Sequence, residues 1–456
     1  MEQKGRGVGL VLFPCPLQGH INPMLQLASI LYSNGFSIII IHTQFNSPKS
    51  SNYPHFTFIP IPDGISDVLD SISDGFAFLS FFNVNRAVPL RDCLLRLLSD
   101  GAKEAERIAC IISDSVMHFT QGVADSLKLP RLALRVSSTA SFLAFTAFPV
   151  LRLKGYRPVS DSELETEVSE LPPLRVKDLP AYNMDNIEKE CQFVGSMVNH
   201  VKPSSGVILN TFHHLEESEL AKFGQEVPIP IFTIGPFHKL FPASSSSLLS
   251  QDRSCITWLD TQPPNSVIYV SFGSVASMDE AEFVEIAWGL ANSECPFLWV
   301  VRSGLVHGSD RIEPVWPDGL LELMISGGKG CIVKWAPQQE VLAHPAVGGF
   351  WTHNGWNSTL ESICEGVPML CRPCFGDQKV IARYVSHVWR VGLHLEINRL
   401  EGGEIVRNIR RLMDEKEGEE MRERVASLKE KAEVCVRKGG SSYESLQDLI
   451  ARILSF

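Results

Sequence analysis

Short apolar runs alternate along this chain with longer stretches of mixed polarity. The first run, residues 8–13, is followed by a stretch predicted to be helical from about Asn22 to Ser33 and by a second apolar run at 36–42. Apolar runs of this length indicate buried strands, and two such strands joined by a helix indicate a parallel sheet. The order recurs in the second half, with runs at 267–272 and 296–301. The pattern predicts an α/β protein built from repeated β-α units.

Two polar side chains stand at predicted strand ends in the first half of the chain. His20 follows the strand at 8–13, and Asp114 follows a strand predicted at 110–113. The ligand-binding loops of parallel sheets lie at the carboxyl ends of the strands. Taken singly, a histidine such as His20 is more often structural, and Asp114 is typical of an N-cap for the helix predicted at 116–127. Taken together, they predict an imidazole whose tautomer is fixed by a carboxylate.

The second half concentrates its polar groups between Trp335 and Gln378. A strand predicted at 348–352 runs into His353-Asn354-Gly355, and a helix is predicted to begin near Asn357. Such a helix start presents backbone N–H groups and the positive end of the helix dipole, which suits a diphosphate. The stretch therefore predicts a site for a nucleotide sugar at this strand end.

Most residues of this stretch also have a plainer interpretation. Ser358 and Glu361 have the S-x-x-E spacing of a capping box, although Glu361 could equally accept hydrogen bonds from two ribose hydroxyls. Trp335 offers an aromatic face to a base, but a tryptophan is more often part of the core. Asp377 and Gln378 can bind sugar hydroxyls, and alone they would indicate an ordinary helix start. Only their combination points to a nucleotide sugar.

The whole stretch from Trp335 to Gln378 resembles the signature box of the plant glycosyltransferases that use UDP-sugars to modify small molecules. Two further motifs resemble the subgroup that contains cytokinin, small-acid and steviol-glycoside glycosyltransferases: Pro16-Leu17-Gln18-Gly19-His20-Ile21-Asn22-Pro23-Met24 and Phe45-Asn46-Ser47-Pro48. The resemblance implies the GT-B fold, in which two Rossmann-like α/β domains face a cleft. It also implies that the first domain binds the acceptor, and that the second binds a UDP-sugar as co-substrate, with no further cofactor.

The resemblance assigns a role to each polar group. His20 would be the catalytic base, and Asp114 would orient it. In the donor site, Trp335 would stack on uracil and the backbone of Ala336 would read its edge, while Gln338 and Glu361 would bind the ribose. The residues implied for the diphosphate are His353, Asn357, Ser358 and Ser274. Those implied for the sugar are Trp356, Asp377 and Gln378.

Two positions depart from the family pattern. Relatives often have threonine, which helps to contact the 6-hydroxyl of glucose, where this chain has Val136. A valine side chain cannot form a hydrogen bond with a sugar. UDP-xylose or UDP-arabinose is therefore an alternative donor to UDP-glucose. Ile381 stands where relatives often have asparagine.

The length of the chain predicts two domains, because 456 residues are too many for one ordinary core. Pro242 opens a Ser-rich stretch that is typical of a flexible linker. We predict an acceptor domain at 1–241, a linker at 242–254, a donor domain at 255–437 and a C-terminal helix, 438–456, that packs back on the first domain.

Charge and cysteine content restrict the partners and the compartment. The net charge of −11 argues against nucleic acid and against anionic membrane surfaces as partners. No apolar run is long enough to span a membrane. The 11 scattered cysteines, without an export signal, indicate reduced thiols in the cytoplasm. We expect the protein to be a cytoplasmic monomer. We also expect it to use no metal ion, because no Asp-x-Asp pair is present to hold a metal ion on a diphosphate.

Together with the site residues, the resemblance implies inverting transfer of a sugar, glucose in the first place, to a hydroxyl or N–H group of a small plant metabolite. A diterpenoid glycoside, a cytokinin, a flavonoid or a hydroxy acid would fit. Two alternatives of other classes stay open: a nucleotide-sugar-binding protein without catalysis, and a nucleotide-sugar epimerase or hydrolase, which needs no acceptor. The absence of G-x-G-x-x-G after any predicted strand counts against a dinucleotide oxidoreductase.

Overall fold

The chain forms two compact units. The computed structural model describes residues 7–65, 75–100, 107–154, 163–180, 187–241, 247–306, 316–395 and 401–456. Unit 1 comprises Met1–Leu171, Pro180–Leu248 and Ala432–Phe456, and unit 2 comprises Pro172–Leu179 and Leu249–Lys431. Residues 242–246 of the predicted linker lie outside the described ranges. The domain boundaries drawn from the sequence stay a prediction.

Unit 1 is built on a parallel sheet of seven strands in the order β3-β2-β1-β4-β5-β6-β7. Its central strands are buried along almost their whole length, as strands covered on both faces must be. The strands are β1 (Val8–Phe13), β2 (Ser37–Thr43), β3 (Thr57–Ile61), β4 (Arg107–Asp114), β5 (Arg131–Arg135), β6 (Val207–Leu209) and β7 (Ile231–Thr233).

Unit 2 is built on a second parallel sheet, of six strands, in the order β10-β9-β8-β11-β12-β13. Its strands are equally short and apolar. They are β8 (Val267–Ser271), β9 (Phe297–Val300), β10 (Gly330–Val333), β11 (Val347–Thr352), β12 (Met369–Cys371) and β13 (Gly392–His394).

Helices connect these strands and cover the sheets. In the ranges that the structure describes, no helix combines the length and the apolarity that a membrane span requires. In chain order the helices are α1 (Gln18–Ser33), α2 (Gly75–Asn85), α3 (Ala87–Asp100), α4 (Thr120–Leu127), α5 (Thr139–Thr146), α6 (Phe148–Leu153), α7 (Ile187–Asn199), α8 (Glu217–Glu226), α9 (Phe237–Leu240), α10 (Ser254–Leu259), α11 (Glu280–Ser293), α12 (Leu320–Ile325), α13 (Gln338–Leu342), α14 (Trp356–Glu365), α15 (Gln378–Arg383), α16 (Gly402–Met413), α17 (Lys416–Val436) and α18 (Ser441–Leu454).

Among the described residues of unit 1, two apolar clusters lie on the two faces of β1. Val11 and Phe13 of β1 belong to one cluster, and the alternate residues Leu10 and Leu12 belong to the other, as the pleat of a strand requires. The C-terminal helix α18 contributes Leu449 to the second cluster. Strand β1 is therefore covered on both faces, which explains why it reads as a continuous apolar run in the sequence.

The strand order of each sheet reverses once, next to its first strand. β1 pairs with β2 on one side and with β4 on the other, and β8 pairs in the same way with β9 and β11. At such a point the loops leave neighbouring strands in opposite directions, and α/β proteins bind their ligands there. The predicted α/β class with Rossmann-like sheets is confirmed.

Helix α1 begins earlier than the sequence predicts. The prediction placed its start at Asn22, next to Pro23, whereas the helix starts at Gln18. The first turn closes on the carbonyl of Leu17, which accepts from the N–H of His20 at 2.9 Å. As a result, His20 lies in the first turn of the helix and not in the loop before it.

Candidate active site

His20 and Asp114 come from neighbouring strand ends of unit 1 and form a hydrogen bond. His20 lies in α1, which follows β1, and Asp114 is the last residue of β4. The two strands are paired, with Phe13 opposite Ser113. His20 Nδ1 is 2.7 Å from Asp114 Oδ2, the carboxylate is fully buried, and the imidazole is 22% exposed. The structure thus brings together the two residues that the sequence singles out.

Both carboxylate oxygens of Asp114 accept hydrogen bonds, which fixes the orientation of the group. Oδ1 accepts from the backbone N–H of Val116 at 3.1 Å. Because a carboxylate only accepts, His20 Nδ1 carries a proton, and Nε2 is left as the basic nitrogen. The helix predicted to begin at Val116 begins at Thr120, after turns that follow the strand. Asp114 therefore does not cap α4, and its side chain binds His20 instead.

A buried cation near Asp114 was not anticipated from the sequence. Arg131, at the start of β5, is almost fully buried. It donates to Ser113 Oγ at 2.8 Å, to Gln121 Oε1 at 3.0 Å and to the carbonyl of His200 at 2.9 Å. Burial lowers the pKa of Arg131 to about 10, and the negative charge of Asp114 opposes that shift. Its sequence signal is only a lone arginine at the start of an apolar strand.

In unit 2, three predicted donor-site residues form one hydrogen-bonded group. Gln338, the first residue of α13, donates from Nε2 to Ser358 Oγ at 2.9 Å and to Glu361 Oε2 at 2.7 Å. The other Glu361 oxygen accepts from Gln339 Nε2 at 2.9 Å. Gln338 Oε1 accepts from the hydroxyl of Tyr269 at 3.3 Å, a contact that sequence reasoning missed. Burial raises the pKa of the Glu361 carboxyl, and the bonds from the two glutamines oppose that shift.

The plainer interpretation of Ser358 and Glu361 as a capping box is wrong. Helix α14 begins at Trp356 after Gly355, which provides no side-chain cap, so both residues lie inside the helix. Their side chains bind Gln338 instead of the helix start. A helix start without a side-chain cap, at the end of a parallel strand, has the geometry that anion sites use.

The imidazole of His353 fits between two glycines. A Cβ atom on Gly273 would lie 2.6 Å from His353 Nε2, and one on Gly355 would lie 2.5 Å from the same atom. Gly273 also has a φ angle of +72°, a conformation that favours glycine. Because Gly273 follows β8 and His353 follows β11, the contact lies where the strand order of unit 2 reverses.

His353 is neutral near pH 7. Burial lowers its pKa to about 4, and the positive charges of Arg302 and Arg372 add to this shift, whereas a backbone hydrogen bond with Ser271 opposes it. A neutral imidazole has one N–H donor and one acceptor nitrogen. The bond with Ser271 raises the pKa because the imidazole N–H donates to the backbone carbonyl, so the neutral ring has no second N–H group for an anion. Positive charge for an anion at this site must therefore come from elsewhere.

Trp335 lies at a strand end and does not belong to the core. It follows β10 and is partly exposed, whereas Trp299 and Trp351 of the same unit are fully buried. Its carbonyl accepts from the N–H of Asp252 at 2.8 Å, and the next residue, Ala336, is buried. The plainer interpretation of Trp335 as a core tryptophan is therefore wrong.

Two of the predicted sugar contacts, Asp377 and Gln378, lie at the start of α15, and the third, Trp356, is the first residue of α14. Gln378 is buried, and its Oε1 accepts from the N–H groups of Cys374 at 2.9 Å and Phe375 at 3.2 Å. The protein thus uses the acceptor end of this amide, and its NH2 end is the group suited to a sugar oxygen. Trp356 is buried, with its ring 6.3 Å from that of Trp389. Asp377 is half-buried, as are Ser274 and Asn357, which are predicted to contact the diphosphate.

Comparison with known proteins gives the family of the chain. The profile of the family described as UDP-glucoronosyl and UDP-glucosyl transferase matches residues 238–432. The chain is also 50% identical to UDP-glycosyltransferase 76B1 of Arabidopsis thaliana over 456 residues, which is 100% of each chain. The chain belongs to the plant UDP-glycosyltransferase family. This UDP-glycosyltransferase is also 51% identical to UDP-glycosyltransferase 76G1 of Stevia rebaudiana over 454 residues, covering 98% of this chain and 97% of that one.

A solved structure extends the likeness to the fold. The crystal structure of Medicago truncatula UGT71G1 complexed with UDP-glucose matches this UDP-glycosyltransferase with a TM-score of 0.81 at 26% identity, covering 99% of each chain. The predicted GT-B class, with its two Rossmann-like α/β domains, is confirmed, as is the predicted enzyme class. The roles of individual site residues stay predictions.

The partly buried imidazole of His353 predicts an acid-sensitive contribution to the stability of the UDP-glycosyltransferase. Its pKa is about 4 in the folded protein against an ordinary value of 6.5. Between these values the unfolded chain binds a proton that the folded chain does not. The free energy of unfolding should therefore fall as the pH drops from 6.5 towards 4, by up to about 1.4 kcal/mol per pH unit from this residue.

The measurement is urea unfolding at several pH values for the wild type and for His353→Gln, which has no titrating group at this position. The variant should lose less stability on acidification than the wild type. His387→Gln, which changes an exposed histidine of the same unit, is the control and should keep the wild-type slope. Equal slopes for the wild type and His353→Gln would contradict this account.

Proposed function

We propose that this UDP-glycosyltransferase transfers a sugar, glucose in the first place, from a UDP-sugar to a hydroxyl or N–H group of a small plant metabolite, with His20 as general base. The observation that carries the proposal is the 2.7 Å contact between His20 Nδ1 and Asp114 Oδ2. A partly exposed imidazole held by a buried carboxylate is suited to removing a proton from a bound acceptor. A protein that only binds nucleotide sugars would have no use for this pair.

In the proposed step, Nε2 of His20 takes the proton of the acceptor group while the acceptor atom attacks the anomeric carbon of the UDP-sugar. The new bond forms as the bond between that carbon and the diphosphate oxygen breaks, and UDP leaves. Asp114 stabilises the imidazolium that forms on His20. A single displacement inverts the anomeric centre, so an α-linked UDP-sugar gives a β-glycoside.

The negative charge that develops on the leaving diphosphate is stabilised around the start of α14. The helix start has no side-chain cap, and we assign His353, which packs against Gly355 just before that start, to the same diphosphate site. Ser274, Asn357 and Ser358 supply further polar groups. The proposed reaction needs no metal ion; in the part of the chain that the structure describes, no three His, Cys, Asp or Glu residues are grouped as metal ligands would be.

The rest of the donor is bound by the other groups of unit 2. The uracil ring stacks on Trp335, and Ala336 reads its edge through the backbone. Gln338 and Glu361 bind the ribose, because a carboxylate held by two amide donors is well placed to accept from two adjacent hydroxyls. Trp356, Asp377 and Gln378 contact the sugar that is transferred.

Unit 1 supplies an apolar environment for the acceptor. Phe119 packs edge-on against Phe13 at 6.0 Å, and Phe45 packs against Phe78 at 5.6 Å, with Phe45 and Phe119 partly exposed. Asn46 donates to the carbonyl of Pro16 at 2.9 Å, which fixes the Phe45 loop to the segment that leads into α1. An apolar acceptor with one nucleophilic group suits this surface, as in a diterpenoid glycoside, a cytokinin, a flavonoid or a hydroxy acid.

Val136 leaves the donor sugar open between two classes. It follows β5, is 8% exposed and belongs to the second apolar cluster of unit 1. Its side chain offers no hydrogen bond to a 6-hydroxyl. Glucose stays the first choice because the likeness includes a structure complexed with UDP-glucose. A pentose donor, which lacks the 6-hydroxyl, is the alternative.

We further propose a cytoplasmic, monomeric enzyme. All 11 cysteines are free thiols, as is usual in a reducing compartment. The net charge of −11 does not suit nucleic acid or an anionic membrane as partner. The partners are accordingly the UDP-sugar and the small acceptor alone.

The function is tested by UDP release from UDP-glucose, UDP-xylose, UDP-arabinose and UDP-galactose, each with and without a pooled plant-metabolite extract. Release that depends on the extract, with a hexose added to a metabolite mass, is the expected result. A pentose mass instead would make Val136 the reason for a changed donor. Release without an acceptor would support a hydrolase, and donor binding with no release would support the binding-protein alternative.

The dyad is tested with His20→Ala and Asp114→Asn. Each should lower kcat by about 10²- to 10⁴-fold, because the first removes the base and the second removes the carboxylate that fixes its tautomer. UDP binding should stay close to wild type, since both residues lie in unit 1 and we assign UDP to unit 2. Steady-state kinetics and UDP titration measure the two effects separately.

His213→Ala, which removes an exposed histidine from the same unit, is the matched control and should keep wild-type kcat. Full turnover by His20→Ala would exclude His20 as the base. A loss of kcat in His20→Ala together with unchanged kcat in Asp114→Asn would exclude Asp114 as the residue that orients it.

A further inference from the structure

Arg302 is a buried cation bound by backbone carbonyls. It follows β9 and is 9% exposed. Its Nε donates to the carbonyl of Gly273 at 2.8 Å, its Nη1 to the carbonyl of Ser303 at 3.0 Å, and its Nη2 to the carbonyl of Ala276. Among the described residues, no carboxylate forms an ion pair with it. The positive charge is therefore satisfied by neutral oxygens and is not cancelled by a described counter-charge.

The loop held by Arg302 contacts His353. Gly273 and Ala276 lie in the loop after β8, and a Cβ atom on Gly273 would meet His353 Nε2 at 2.6 Å. The guanidinium thus binds the residue against which the imidazole packs. The charge of Arg302 is also the largest electrostatic cause, after burial, of the lowered pKa of His353.

A second arginine near His353, Arg372, is placed differently. Its Nε donates to Glu282 Oε1 at 2.7 Å, and its guanidinium lies 5.1 Å from the centre of the Phe272 ring. Because Arg372 is paired with Glu282, the negative charge of Glu282 cancels most of the electric field that Arg372 would exert on more distant groups. Arg302 is therefore the cation of this pair whose field acts on an anion bound near His353.

We propose that Arg302 is a positioning residue for the donor diphosphate: it fixes the loop from Gly273 to Ala276 and places an uncancelled positive charge behind His353. The inference rests on the proposed function, which assigns the diphosphate to His353 and Ser274. The three carbonyls are bound by three different nitrogens of the planar guanidinium, whereas all donors of a lysine are on one nitrogen, so lysine is not an equivalent. The charge acts through the loop and through its field, and such a field is weakly screened in a partly buried site.

The test compares the binding of UDP and of uridine, which has the same base and ribose but no diphosphate, by titration of the full chain. Arg302→Gln should weaken UDP binding by about 10- to 100-fold and leave uridine binding within about twofold. Arg302→Lys should fall between the wild type and Arg302→Gln, because it keeps the charge and loses two of the carbonyl contacts. Arg253→Gln, which removes an exposed arginine paired with Glu340, is the control and should bind both ligands as the wild type does.

A pH series adds a readout that a merely structural role would not change. Removing the charge of Arg302 should raise the pKa of His353, since that charge lowers it. UDP binding by Arg302→Gln should therefore strengthen more than that of the wild type as the pH falls from about 7.5 to about 5.5.

Each outcome decides the proposal. Unchanged UDP binding in Arg302→Gln would overturn it, and so would equal losses for UDP and uridine, which would show a general structural role. If Arg302→Gln does not fold, the same ratio measured for Arg302→Lys against the control decides the question. A wild type that binds UDP no more tightly than uridine would overturn the assignment of the diphosphate site itself, and with it this inference.

Discussion

Both sites depend on one feature of strand pairing: in each sheet, the strand that comes first in the sequence lies beside the strand that comes fourth, β1 beside β4 and β8 beside β11. In unit 1, it places His20, which follows β1, beside Asp114 at the end of β4, although 94 positions separate them in the chain. In unit 2, it places Gly273, which follows β8, beside His353, which follows β11. Parallel neighbours end at the same edge of a sheet, so residues remote in sequence meet there. The chain uses this arrangement once for the proposed base and once for the proposed phosphate site.

Each site also has a buried arginine on or after the neighbouring strand. Arg131 stands at the start of β5, next to β4, and Arg302 follows β9, next to β8. Both are held by neutral oxygen atoms, and neither is anticipated by a motif. Burying a guanidinium costs solvation free energy, which hydrogen bonds to fixed acceptors offset only in part. Apart from Ser303, their partners are backbone carbonyls and side chains at least 10 positions away in sequence, and for this reason the sequence alone did not reveal their roles. Tyr269, whose hydroxyl binds Gln338, was missed for the same reason.

The strands were more predictable than the helix starts. A strand buried on both faces reads as a continuous apolar run, and the run at 8–13 has the bounds of β1. Helix starts depend on tertiary contacts that a local pattern does not contain. Asn22 next to Pro23 is typical of a helix start, yet α1 begins at Gln18. The Ser358 and Glu361 spacing is typical of a capping box, yet both side chains bind Gln338. The donor stretch was identifiable only because its polar residues resemble those of a known family as a set.

The anomeric configuration of the product tests the central claim most directly. We propose that an acceptor deprotonated by His20 displaces UDP in one step, with Asp114 orienting the base. The coupling between the protons on the first and second carbons of the transferred sugar, measured by NMR on the product from an α-linked UDP-sugar, gives the configuration. A β-glycoside is the predicted result. An α-glycoside would contradict the account, because retention requires a mechanism other than a single displacement.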